Sequence, residues 1–280
     1  MGLLRLILAI AVVIAHSNPI FGLTFTGGVV AVEVFFIISG FYMTMILDEK
    51  YIGKNSYALF LSNRFLRLYP MFWVVLLLTI LASIISGLYT GNWLTLSSYI
   101  TFYDRMGVDT LLFQLFTNFA LIGQDIVMFL GFNKETGGMY FTNDFTSSSP
   151  MLFTFLLIPQ AWSLGIEVLF YLIAPFLVRK NIYIVIAIIF LSLTIRLYTY
   201  SIGYNNDPWT YRFFPSEIAL FLLGTISYRL FNTSKLYHYK FFNINPTPLI
   251  ILSAFSATIF YSFIPKDFFE LEIGNIFNWI

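Results

Sequence analysis

Apolar residues run along this chain in blocks of spanning length, at about 3–21, 29–47, 68–88, 161–178, 181–201, 213–231 and 248–265. A weaker block lies at 111–131 and an incomplete one runs from 268 onward. A hydrocarbon core about 30 Å thick takes roughly 20 apolar helical residues to cross. Lipid offers the backbone no hydrogen-bond partners, so spanning structure must be helix or closed barrel, and unbroken blocks do not read as alternating barrel strands. The pattern predicts an all-α fold, a polytopic transmembrane helix bundle forming a single domain over 1–280. Phe277-Asn278-Trp279-Ile280 closes an unfinished apolar block with no polar tail, so the chain reads as truncated at its C-terminal end.

The polar breaks orient the bundle. Arg5 precedes the first block, and Lys50, Lys54, Arg64 and Arg67 lie between the second and third. Positive charge favours the cytoplasm, which predicts a cytoplasmic N-terminus. Arg179-Lys180 and the group Arg229, Lys235 and Lys240 mark two further cytoplasmic turns. An even number of crossings must then separate Arg67 from Arg179, which places roughly 89–160 outside. Gln114, Asn118, Gln124 and Asp125 interrupt the block 111–131, and a Gly/Ser/Asn/Thr-rich loop follows it. That block is expected to be re-entrant or interfacial; the alternative is an extra crossing paired with 151–160.

Composition narrows the partners. Of 280 residues 59% are hydrophobic and 10% charged, with a formal net charge of +1. A balance so near neutral argues against nucleic acid, whose phosphates call for a strongly basic surface. With no cysteine, thiol nucleophiles and thiolate metal sites are excluded. The first seventeen residues have the outline of a secretory signal, but the block lacks a small-x-small cleavage site and a second long block follows closely. Leu6 rules out a myristoylation motif at Gly2.

Ionisable groups inside apolar blocks carry the chemical interest, since each costs about 2.5 kcal/mol or more at bilayer depth. Arg5 and His16 are eleven residues apart with no charge between them. As helix they share one face, separated by about 16 Å. Glu33 lies inside the second block, one heptad before Gly40. Arg64 and Arg67 share a face at the mouth of the third block, suited either to bidentate phosphate binding or to topological anchoring. Ser163 and Glu167, four apart, share a face behind Trp162, itself suited to an interfacial belt. A serine-histidine-acid triad can be drawn from Ser39 or Ser163, but nothing resembles a nucleophile elbow. No metal is expected: the other histidine, His238, stands in a basic turn, and there is no HExxH or cysteine cluster.

Taken in order, four blocks resemble acyltransferase family 3, the integral membrane O-acyltransferases. They are Arg5 with His16, Phe35-Phe36-Ile-Ile-Ser39-Gly40-Phe41, Arg64-x-x-Arg67-x-Tyr69-Pro70 and Trp162-Ser163-Leu164-x-x-Glu167-x-x-Phe170-Tyr171. The resemblance covers about 3–231. Where family members often have Asp before the Phe-Phe pair, this chain has Glu33. The resemblance implies transfer of an acyl group, usually acetyl, from cytoplasmic acyl-CoA (acetyl-CoA) as co-substrate to a hydroxyl of an extracytoplasmic cell-surface carbohydrate, at the cytoplasmic membrane. It makes His16 the essential catalytic residue, as general base or acyl carrier. Arg5, Arg64 and Arg67 would meet the donor. Glu33 or Glu167 would orient the imidazole or relay its proton, and Ser39, Trp162 and Ser163 are the expected substrate-binding residues. The competing reading is a proton-coupled transporter or flippase of a saccharide or lipid-linked precursor, with His16, Glu33 and Glu167 forming the path. The Arg5/His16 spacing and the missing inverted repeat count against it. A non-catalytic membrane scaffold would leave the buried ionisable groups unexplained.

Overall fold

The computed structural model describes residues 2–17 and 25–236. In chain order it forms helices α1 (Gly2–Ala15), α2 (Gly27–Glu49), α3 (Ser56–Thr90), α4 (Ser97–Phe102), α5 (Val108–Ala120) and α6 (Gln124–Val127). A hairpin of β1 (Leu130–Phe132) and β2 (Met139–Phe141) follows, then α7 (Trp162–Leu177), α8 (Ile182–Ser201) and α9 (Phe214–Leu236). The protein is therefore mostly helical. Among the described residues four helices, Gly27–Glu49, Ser56–Thr90, Pro159–Leu177 and Ile182–Ser201, are long and apolar enough to cross a membrane. The predicted blocks at 248–265 and from 268 lie outside the described residues.

Two boundaries differ from those read off the hydropathy. The third helix begins at Ser56, not 68, just after Asn55 in a left-handed conformation (φ 64°). Residues 56–67 are more polar than a lipid-exposed stretch, but contacts with α7 let them continue the helix. The block 111–131 is not one helix: α5 stops after 13 residues, Leu121 turns left-handed (φ 64°), and Gly123 (φ 87°) opens α6 before the strand. At about 20 Å, α5 is too short to cross.

The chain divides into two compact units, residues 1–45 with 180–193 and 217–280, and residues 46–179 with 194–216. In the first, α1 and α2 pack through Leu8, Ala11, Ala31 and Ile38. The opposite face of α2 meets α9 almost backbone to backbone. A Cβ on Gly40 would stand 1.9 Å from the Phe221 carbonyl oxygen, and one on Gly224 would stand 2.0 Å from that of Ile37. Small residues permit this approach, as at many membrane helix crossings. The Phe36 and Phe221 rings stack at 4.9 Å beside it. Thr44 Oγ1 donates to Thr225 Oγ1 at 2.9 Å.

In the second unit α3 and α7 lie side by side and antiparallel. The Tyr57 hydroxyl donates to the Leu172 carbonyl (3.2 Å), and Arg179 Nη2 donates to the carbonyls of Leu47 and Tyr51, tying the chain just after α7 to the last turn of α2 and the turn before α3. Further along, Tyr69, Phe72 and Leu76 of α3 pack with Leu121, Leu157, Ala161 and Val168. The Tyr69 hydroxyl donates to the Ala120 carbonyl at 2.7 Å and Trp73 Nε1 to that of Phe119 at 3.0 Å, fixing the end of α5 against α3. Gly165 of α7 receives the turn after α5, where a Cβ would lie 2.7 Å from the Leu121 oxygen.

Candidate active site

Four of the expected site residues belong to the first unit. Arg5 is half-buried on α1, its guanidinium carbon 5.5 Å from the Tyr42 ring centroid and 6.0 Å from that of Phe35. Aromatic faces attract such a cation where water is scarce. His16 is exposed, one residue past the end of α1, its N–H donating to the Val13 carbonyl at 3.1 Å. Ala15 beside it lies 3.1 Å from where a Gly28 Cβ would stand, so the imidazole is at the end where α1 meets the start of α2. Glu33 and Ser39 are both buried in α2. Glu33 shares the helix stripe of Phe36 and Gly40, which faces α9, while α1 packs on the stripe of Ala31 and Ile38. Glu217, in the first turn of α9 and one turn before Phe221, is wholly buried on the stripe facing α2. The sequence reading passed it over, although an acid inside the block 213–231 carries the same signal as Glu33.

The other five, Arg64, Arg67, Trp162, Ser163 and Glu167, belong to the second unit. Arg64 lies more than two turns inside α3, its guanidinium carbon 5.5 Å from the Phe60 ring centroid and 5.9 Å from that of Tyr171. That pairing sets it beside Tyr171 of α7. Its Nε is buried and takes no acceptor among the described residues. The Tyr171 hydroxyl donates to Glu167 Oε1 at 2.6 Å, and Asn63 Nδ2 donates to the Tyr51 hydroxyl at 2.9 Å. Tyr51 in turn packs edge-on against Phe60. Guanidinium, carboxyl and two phenols thus stand around one aromatic wall. Arg67, one turn on, is exposed at the head of a cavity of about 380 Å³ lined by Met71, Phe72, Val75, Gln160 and Leu164.

Trp162 opens α7 in a setting its position in the sequence did not disclose. The Arg212 guanidinium lies over its ring at 4.3 Å and the Tyr211 ring meets it edge-on at 5.3 Å. Arg212 is bidentate to Asp207, Nε to Oδ1 at 2.6 Å and Nη2 to Oδ2 at 3.0 Å, and the Tyr211 hydroxyl donates to the same carboxylate at 3.0 Å. Burial pushes the Tyr211 phenol up to about 12, so it remains a donor at any physiological pH. Half-buried Ser163 follows Trp162. Among the described residues no group of three or more His, Cys, Asp or Glu side chains could hold a metal ion.

A half-buried arginine beside an acid–phenol pair suits handling of an anionic, group-bearing substrate. The whole chain, residues 1–280, matches the family model described as an acyltransferase domain, family 3. The chain belongs to acyltransferase family 3. It is therefore a multi-pass membrane acyltransferase, and its reaction uses an acyl donor. No curated protein and no solved structure matches it. In this acyltransferase the Phe-Phe and Ser39-Gly40 block builds the α2–α9 crossing, and the Arg64/Arg67 and Glu167/Tyr171 blocks converge in the second unit.

Proposed function

We propose that this acyltransferase moves an acetyl group from cytoplasmic acetyl-CoA to a hydroxyl of a cell-surface glycan outside the cytoplasmic membrane, with its N-terminus in the cytoplasm. The observation that carries the reading is Arg64, held between aromatic rings beside α7 with a buried, unsatisfied Nε. Neither anchoring nor packing needs a guanidinium there, whereas CoA brings phosphates to it. Arg67 at the head of an apolar cavity supports the same donor, since the acyl-pantetheine arm is slender and weakly polar. The distribution of arginines and lysines along the sequence supports the proposed orientation.

In the proposed step His16 takes the proton of the acceptor hydroxyl as its oxygen attacks the thioester carbonyl. The new C–O bond forms, the C–S bond breaks, and the departing CoA thiolate recovers the proton from the imidazolium. The exposed position of His16 leaves it open to both substrates. In the competing sequence the imidazole first accepts the acyl group, releasing CoA, and then yields it to the hydroxyl. Glu33 or Glu167 is the acid proposed to orient the imidazole or relay its proton. Arg5 joins the donor side, and Ser39, Trp162 and Ser163 line the substrate path.

His16→Ala is expected to abolish acetylation of the surface glycan while the protein still reaches the membrane, with mass spectrometry of the glycans as the readout. Unchanged acetylation in the variant overturns the role of His16. Loss of proton-coupled saccharide uptake in the same variant, without any acetyl transfer by the wild type, would point instead to transport.

A further inference from the structure

Helix α5 is built inside out. On its thirteen residues Val108, Leu112, Leu115, Phe116 and Phe119 fall within one arc, and Thr110, Gln114, Thr117 and Asn118 fall on the opposite one. It is the apolar arc that lies outward: Leu112 is 60% exposed, Phe116 54% and Phe119 59%, whereas Gln114 and Thr117 are fully buried. The polar arc makes the internal bonds. Asn118 donates to the Phe155 carbonyl at 2.9 Å and accepts from the Leu157 N–H at 2.7 Å, Gln114 donates to the Leu152 carbonyl, and Thr110 to that of Gly137. A helix bathed in water takes the reverse arrangement, because apolar surface is what burial rewards. In hydrocarbon the arrangement is the stable one: polar groups must find partners within the protein, and side chains facing out meet a solvent like themselves.

Two contacts seat the C-terminal end of α5 against the spanning helices. The turn at Leu121 packs on Gly165, in the first turn of the α7 span, and the Phe119 ring stacks on Trp73 of α3 at 5.0 Å. Exposed Val74, Val75, Leu77 and Leu78 continue the same apolar surface along α3. The other end points toward water. Gly107 and Thr110 are tied to Gly137 of the hairpin turn, whose Lys134 and Glu135 are exposed.

We infer that α5 is a lipid-seated helix: the face Val108, Leu112, Leu115, Phe116 and Phe119 lies against acyl chains of the bilayer, and the hairpin turn beside it marks the aqueous boundary. The segment between α3 and α7 is then a half-embedded module that carries its own polar interior into the membrane, not an aqueous loop. This rests on the family's membrane residence and not on the proposed substrates.

The chain has no cysteine, so single-thiol variants can be labelled without background. Leu112→Cys, Leu115→Cys and Phe116→Cys, with Lys134→Cys as the aqueous reference, would be spin-labelled in the full chain in phospholipid vesicles, and collision rates with oxygen and with a nickel chelate measured. At the three α5 positions the chelate rate is expected about tenfold below that at Lys134, because a polar complex is excluded from hydrocarbon, with the oxygen rate high. Chelate rates equal to the reference overturn the inference. Low rates with both reagents overturn it too, showing a protein neighbour, such as a second copy, on that face. Three separate exposed sites guard against one variant misfolding, and the readout is independent of acyl transfer.

Discussion

Tyr171→Phe tests whether the acid–phenol pair of α7 is functional. The substitution removes one oxygen and leaves the ring, so the edge-on contact with Phe60 at 6.3 Å and the Arg64 contact at 5.9 Å persist. What goes is the 2.6 Å hydrogen bond that holds Glu167 Oε1. A hydrogen bond to a charged group is worth about 1.5–3 kcal/mol net. If Glu167 works in the transition state in the orientation Tyr171 gives it, about that much is lost there, a fall in kcat of about tenfold to a hundredfold at one decade per 1.36 kcal/mol. Steady-state acyl transfer in proteoliposomes, with donor and acceptor varied separately, reads the loss. The fall is expected in kcat more than in either KM, with a displaced pH–rate profile. In a Glu167→Gln background Tyr171→Phe should cost far less, because the two act as a unit. A variant with wild-type kcat and an unmoved pH profile would refute the reasoning and leave the pair a packing feature.

The α2–α9 crossing and the buried Asp125 give two further expectations. Gly40→Ala puts a Cβ 1.9 Å from the Phe221 oxygen, so the helices must part and strain the Phe36–Phe221 stack, at about 1–3 kcal/mol by the usual cost of overpacking. A lowered thermal midpoint in detergent is the readout, and adding Gly224→Ala should cost less than its own single effect, since one separation accommodates both. Asp125 of α6 is 5% exposed with Oδ1 unpartnered among the described residues. A carboxyl buried without its full set of partners costs stability. Asp125→Asn, which keeps the shape and removes the carboxylate, is expected to raise the thermal midpoint in detergent; a clear fall would show that the carboxyl is needed for the fold.

The spanning helices were legible because lipid burial leaves unbroken apolar blocks, and α2, α7 and α8 fall within a few residues of their predicted bounds. The early start of α3 was not. Asn63, Arg64 and Arg67 lower the hydropathy of 56–67, and the partners of the first two, Tyr51 for Asn63 and the Phe60 and Tyr171 rings for Arg64, are not linked to them by any spacing rule. The periodicity of α5 marks it as amphipathic, yet no count of residues says which face is buried; that depends on whether water or lipid surrounds it. Around the candidate site, Trp162 read as a belt residue because its partner Arg212 lies fifty residues on, in a loop with no spacing rule to link them. Glu217 could have been found by the rule that singled out Glu33.

The arginines bear most directly on what the second unit is for. Partial burial takes hydration from a guanidinium, and cation–π contacts return about 0.5–2 kcal/mol. Phe60 and Tyr171 therefore lessen the cost of Arg64 without removing it, and rings supply no acceptor for its buried Nε. An acceptor could have been built from a nearby side chain, as Asp207 serves Arg212. On α3 the next arginine follows three residues later and adds repulsion, with the apolar cavity opening beside it. A half-buried guanidinium with an unsatisfied Nε, one turn from an exposed arginine that lines an apolar cavity, favours a ligand that carries its own acceptors and an apolar arm. A pure surface anchor would leave Arg64 as exposed as Arg67, with no buried Nε to satisfy.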